Sequence, residues 1–128
     1  MTSAVSPSLV RPVHLVPSQG AALSPLFERL RREMRGDVHA DRASRGRYAT
    51  DASIYQIMPL GVVVPRDQDD LRIALDIARD RKIPVLARGA GTSQCGQTVG
   101  EALVVDNSKW LNRIVAFDAQ ARTVTVEP

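Results

Sequence analysis

Cysteine, histidine and aromatic residues are all scarce in this chain, and each scarcity removes a class of function. Cys95 is the single cysteine among 128 residues, which excludes an internal disulfide and any four-cysteine zinc or iron–sulfur site built from this segment alone. A reducing compartment, the cytoplasm, is the expected setting, and Cys95 reads as a small apolar packing residue. His14 and His39 stand far apart without clustered ligands and read as loop residues, so no metal site is expected. No apolar run has the length of a membrane span. Aromatic residues make up only 4%, and the arginines between Arg29 and Arg47 have just Phe27 and Tyr48 for company while Glu28, Glu33, Asp37 and Asp41 interrupt them. Nucleic-acid binding favours clustered charge with stacking partners, so these arginines read as a solvated helix face and no nucleic-acid partner is expected.

The first 22 residues contain no acid. They carry prolines, serines and one arginine, without the charged start and apolar run of a secretory signal or the arginine-rich amphipathic pattern of a transit peptide. A flexible leader is expected over residues 1–23. Ser24 and Pro25 then read as a helix start and Gly36 as its stop, with Leu26, Phe27, Leu30 and Met34 as the apolar stripe. A polar connection leads to Thr50.

Val62, Val63 and Val64 form a β-branched run suited to a strand covered on both faces. Asp67 is a helix cap with Asp70 three residues on, Leu71, Ala74, Leu75 and Ala78 follow at helical spacing, and Pro84 ends the helix. Ile83 to Ala87 is the next strand, giving a βαβ unit with parallel strands. Ala102 to Asp106 is another buried strand, Ser108 to Leu111 a turn of helix, and Ile114–Phe117 with Thr123–Glu127 a hairpin around DAQAR. The fold class is α/β, a small parallel sheet with flanking helices and a terminal hairpin.

Between the strands at Ala87 and Ala102 lies RGAGTSQCGQT. Its GTSQCGQT fits the kinase-type phosphate loop G-x-x-x-x-G-K-[ST] at every fixed position but one, where Gln97 replaces lysine. Two features set that reading aside: Gln97 has no charge for the terminal phosphates, and no helix opens after the loop. The dinucleotide pattern G-x-G-x-x-G fails as well, its third glycine being one residue late. What remains is a nest of backbone N–H donors, for which Gly89, Gly91 and Gly96 give conformational freedom and Thr92 and Ser93 add hydroxyls. Arg88 admits two roles, a cofactor contact or the cap of a strand end. Tyr55 and Trp110 read as core or rim packing.

From about Ser53 to Pro128 the order of motifs resembles the FAD-binding domain shared by vanillyl-alcohol oxidase and para-cresol methylhydroxylase. The residues are Tyr55, Pro59, Gly61, Val62, Val63 and Pro65 leading in, then Pro84, Val85, Arg88, Gly89, Gly91, Thr92 and Ser93, then Gly96 and the LVVD strand ending at Asp106. Within that family it resembles the dehydrogenases of D-2-hydroxy acids of the D-lactate and D-2-hydroxyglutarate types, some of which carry an iron–sulfur region toward the C-terminus.

The resemblance implies residues 51–128 as the first part of such a domain, after a helix and connection over 24–50. It implies that Arg88, Gly89, Ala90, Gly91, Thr92, Ser93, Gly96 and Gln97 surround the FAD pyrophosphate, mostly through backbone N–H groups. Covalent members of the family often have histidine where Thr92 stands, so dissociable FAD is expected. A 2-hydroxy acid substrate, an electron acceptor and the catalytic residues would belong to later segments, in an enzyme either cytoplasmic or membrane-associated. The alternative is a non-catalytic nucleotide-binding or regulatory module. TVTVE ends without a turn or cap, so a longer parent protein is expected, with the segment alone inactive.

Overall fold

The computed structural model describes residues 20–128, so residues 1–19 of the expected leader lie outside the described residues. Helix α1 spans Gly20–Glu33 and begins before Ser24. Pro25 lies inside it, at the cost of one intrahelical bond, while Ser24 Oγ donates to Glu28 Oε1 at 3.2 Å instead of capping the start. Residues 20–23, expected in the leader, therefore form its first turn. The apolar stripe is as read: Leu26, Phe27, Leu30 and Met34 are all buried.

The polar connection holds two short elements that its composition concealed, strand β1 (Asp37–His39) and helix α2 (Arg42–Gly46). Asp41 caps α2 by accepting from Ser44 N at 2.8 Å. Strand β2 (Gly61–Val64) is buried along its length. Helix α3 (Gln68–Asp80) starts at the Asp67 cap, which accepts from Asp70 N at 3.0 Å. Asp70 is buried, and its carboxylate accepts from Arg35 N at 2.9 Å and Arg66 N at 3.1 Å, tying the end of α1 to the β2–α3 turn. Strands β3 (Val85–Arg88) and β4 (Leu103–Asp106) complete a four-stranded sheet of order β1-β2-β4-β3.

One correction concerns this sheet. It is mixed, because β1 pairs antiparallel with β2 at its edge. The expected βαβ unit is present, with β2 and β3 parallel and β4 lying between them, parallel to both. Burial explains the order, since β2 and β4 are buried at every position while β3 alternates exposed and half-buried residues and takes the edge. Val63, Leu103 and Val105 face α1 and α3, forming the main core with Leu30, Ala74 and Ile77. Side chains one position along point to the opposite face, where the Tyr48 hydroxyl reaches Asp106.

The hairpin is separate. Among the described residues, strands β5 (Ile114–Asp118) and β6 (Thr123–Val126) pair only with each other, with a bulge at Val115. Asp118 Oδ1 shapes the turn by accepting from Gln120 N and Ala121 N, both at 2.9 Å. Alternation in TVTVE suggests one half-buried face, but every residue of both strands is exposed, because among the described residues no other element covers the ribbon.

Candidate anion-binding site

The glycine loop leaves β3 at the carboxyl end of the parallel strands, where open α/β sheets present their ligand crevices. Gly91 has φ +70° and Gly96 φ +76°, the left-handed region that disfavours side chains. Neither position has room for one: a Cβ on Gly91 would stand 2.5 Å from Arg88 Nη2, and one on Gly96 2.6 Å from Tyr55 Cδ2. Gly89 differs, with ordinary φ and nothing within 4 Å of an added Cβ. Any demand for glycine there must come from what the loop holds.

The decisive feature is what the backbone donates. Among the described residues, the N–H groups of Gly89, Ala90, Gly91, Thr92 and Ser93 donate to no protein acceptor. Five consecutive backbone donors, the left-handed Gly91 among them, are thus left without a protein partner. Gly89, Ala90 and Thr92 are exposed, so the loop backbone is open to a ligand.

The rest of the loop is turned on itself. Ser93 Oγ pairs with Gln97 Oε1 and accepts from Cys95 N at 3.3 Å and Gln97 N at 3.2 Å. Gln97 thus completes a turn within the loop. Cys95, expected to pack as a small apolar residue, is exposed at the tip of that turn.

Segment 48–55 braces the loop, a role that sequence reading missed. Ala52 N donates to Gly91 O at 3.1 Å. Asp51 Oδ2 accepts from Thr98 Oγ1 at 3.0 Å and Thr98 N at 3.4 Å. Hydrogen bonds from Ser53 first, and then from Thr98, hold the Asp51 carboxyl down at about 2. The D-x-S spacing of Asp51 and Ser53 was the available signal, since it favours an Asx turn. Arg88 Nη1 donates to Thr50 O at 2.8 Å, Thr98 O at 3.3 Å and Tyr48 O at 3.5 Å, so the guanidinium is engaged with backbone carbonyls.

Tyr48 donates to Asp106 Oδ2 at 2.7 Å, and Ser108 N and Oγ donate to Asp106 Oδ1 at 2.9 and 2.6 Å. Burial first, and then Asp106, pushes the Tyr48 phenol up to about 12, so it stays a donor at neutral pH. Tyr55 packs its ring on Gly96, and Trp110 lies between Arg66 and Lys109, 5.3 and 4.8 Å from its ring centre. A groove of about 350 Å³ lined by Leu71, Leu75, Leu111 and Glu127 shares no residue with the loop and is mostly apolar.

Comparison with known proteins agrees with this geometry. The family model described as FAD binding domain matches residues 59–128. D-2-hydroxyglutarate dehydrogenase of Pseudomonas putida is 38% identical over 96 residues, covering 73% of this chain and 10% of that protein. Glycolate oxidase subunit GlcD of Bacillus subtilis is 35% identical over 100 residues, 75% of this chain and 21% of that protein. The chain therefore spans about a tenth to a fifth of the length of these relatives. In fold it is similar to alkyldihydroxyacetonephosphate synthase, with TM-score 0.67 at 14% identity over 80% of this chain and 23% of that one. It is similar too to 4-ethylphenol oxidase from Gulosibacter chungangensis, with TM-score 0.62 at 16% identity over 84% of this chain and 22% of that one.

Proposed function

The chain belongs to the FAD binding domain family, and from that premise we propose that its Gly89–Ser93 nest, with Gly96, holds the FAD diphosphate in an oxidoreductase acting on a D-2-hydroxy acid. The observation that carries the site is the run of five N–H donors, Gly91 included, that have no protein acceptor among the described residues. A diphosphate needs several converging donors and close backbone approach, and the exposed Gly89, Ala90 and Thr92 leave that approach open. Binding is dissociable, because the Thr92 hydroxyl offers no histidine-type attachment to the flavin. Bound flavin would supply hydride acceptance, while this chain's residues bind and orient the diphosphate.

The substrate class follows the relatives named for D-2-hydroxyglutarate and glycolate, both 2-hydroxy acids. The electron acceptor and the groups that handle the substrate proton would lie outside this chain, in a cytoplasmic or membrane-associated protein. An iron–sulfur cluster would need ligands from elsewhere too, Cys95 being the only cysteine here.

Titrating the chain with FAD while following its backbone amide resonances tests the site. The expected result is movement of the Gly89–Ser93 signals, abolished by Gly91→Val, whose β-branched side chain resists positive φ and enters the Arg88 position. A folded chain whose loop amides ignore FAD would refute the assignment.

A further inference from the structure

Arg88 ends β3, and the resemblance would make it a ligand of the cofactor. Its geometry shows a different use of the side chain. Nη1 donates to the carbonyls of Tyr48, Thr50 and Thr98, drawing the bracing segment and the far end of the loop onto one group. The guanidinium carbon stands 5.3 Å from the centre of the Tyr48 ring. An added Cβ on Gly91 would meet Nη2 at 2.5 Å and the guanidinium carbon at 2.9 Å, so the nest backbone lies directly against the cation. None of the ion pairs among the described residues includes Arg88. Among the described residues its direct partners are backbone carbonyls and the Tyr48 ring.

We propose that Arg88 is a positioning residue for the diphosphate: it clamps the loop to Tyr48, Thr50 and Thr98, and its charge, in no direct ion pair among the described residues and packed against Gly91, favours an anion that it does not touch. The proposal deepens the FAD reading and rests on it. It also supplies a protein-internal reason for Gly91, since any side chain there would displace the clamp. Lysine is not equivalent at this position, because one ammonium could meet the carbonyls that Nη1 reaches but has neither a second nitrogen to lie against Gly91 nor a planar group to stack on the Tyr48 ring.

Inorganic pyrophosphate is the probe, titrated into the whole chain and its Arg88→Lys, Arg88→Met and Gly91→Ala variants, with hydrogen exchange of the ligand-free loop measured in parallel. Arg88→Lys and Arg88→Met are each expected to weaken binding about tenfold or more and to speed exchange at Gln97 and Thr98. Arg88→Met alone should also lose part of the salt dependence, because lysine keeps the charge. Gly91→Ala should weaken binding in the wild type and add less in the Arg88→Met background, where its collision partner is gone.

Arg88→Lys binding within about twofold of wild type would mean that charge alone suffices and would overturn the clamp. An unchanged salt dependence in Arg88→Met would remove the electrostatic part, and fully multiplicative effects at Arg88 and Gly91 would remove their coupling. A folded wild-type chain that ignores pyrophosphate would instead sink the diphosphate reading and with it any role of Arg88 toward a ligand. The exchange data keep the two failures apart, since they report the clamp without ligand.

Discussion

At the scale of single residues, the glycines divide into those the fold requires and those only a ligand would require. Gly96 belongs to the first group, with φ +76° and the Tyr55 ring where a side chain would go. Gly96→Ala should cost roughly 1–3 kcal/mol in urea unfolding. In a Tyr55→Ala background the backbone part of that cost should persist, and full relief would show that the ring contact was the whole effect. Gly89→Ala should leave stability within about 0.5 kcal/mol, since nothing among the described residues opposes a Cβ there. Gln97, read from sequence as something other than a lost lysine, has its amide folded onto Ser93. Gln97→Lys should accordingly confer no ATP hydrolysis; a phosphate-release assay that detected turnover would reopen the kinase-type reading.

At the scale of elements, two junctions carry testable energetics. Gly61 opens β2 against α1, and a Cβ there would lie 2.2 Å from Phe27 Cε1. Phe27 is buried and has little space to yield, so Gly61→Ala should destabilise by about 1–3 kcal/mol, with the thermal melt as the check. The hairpin is closed at its base by Arg113 and Glu127, whose side chains meet at 2.7 Å while Arg113 N donates to Glu127 Oε2 at 2.9 Å. The Arg113 guanidinium first, and then its backbone N–H, holds the Glu127 carboxyl at about 2, below its ordinary 4.5. A depressed acid stabilises above its unfolded value, so this contribution is complete above pH 4.5 and is lost as pH falls through about 2. Amide exchange in β5 and β6 should accelerate across that window, and Glu127→Gln should flatten the change. The same acid response in the variant would assign the effect to other groups.

Over the whole molecule, the sheet is well buried on its helix side while the hairpin is not. Ile114 is 71% exposed and Phe117 75%, on a ribbon that pairs only with itself. Apolar side chains on an uncovered two-stranded ribbon favour association. The 128-residue chain should therefore self-associate with rising concentration in sedimentation velocity, and Phe117→Ser should shift it toward monomer. The nest is open as well, so FAD should bind this chain more weakly than about micromolar. A monomeric chain with tight FAD binding would contradict both expectations and identify a self-contained flavin module.

Much was legible in the sequence because its cause is local. Val62–Val64 and LVVD read as buried strands from composition, and Asp67 as a cap from its hydrogen-bonding side chain. Sequence also set the glycine loop apart from a kinase-type loop, because a missing charge and a missing helix are visible in the chain itself. Tertiary structure decided what depends on pairing between distant residues. The insertion of β4 between β2 and β3 turns on relative burial, β1 exists because an edge of β2 was available, and the exposed hairpin follows from having no covering element. The clamp at Arg88 was out of reach for the same reason: its acceptors are backbone carbonyls 10 to 40 residues away in sequence. Every residue carries such a carbonyl, so only the folded chain selects the three that one guanidinium can reach.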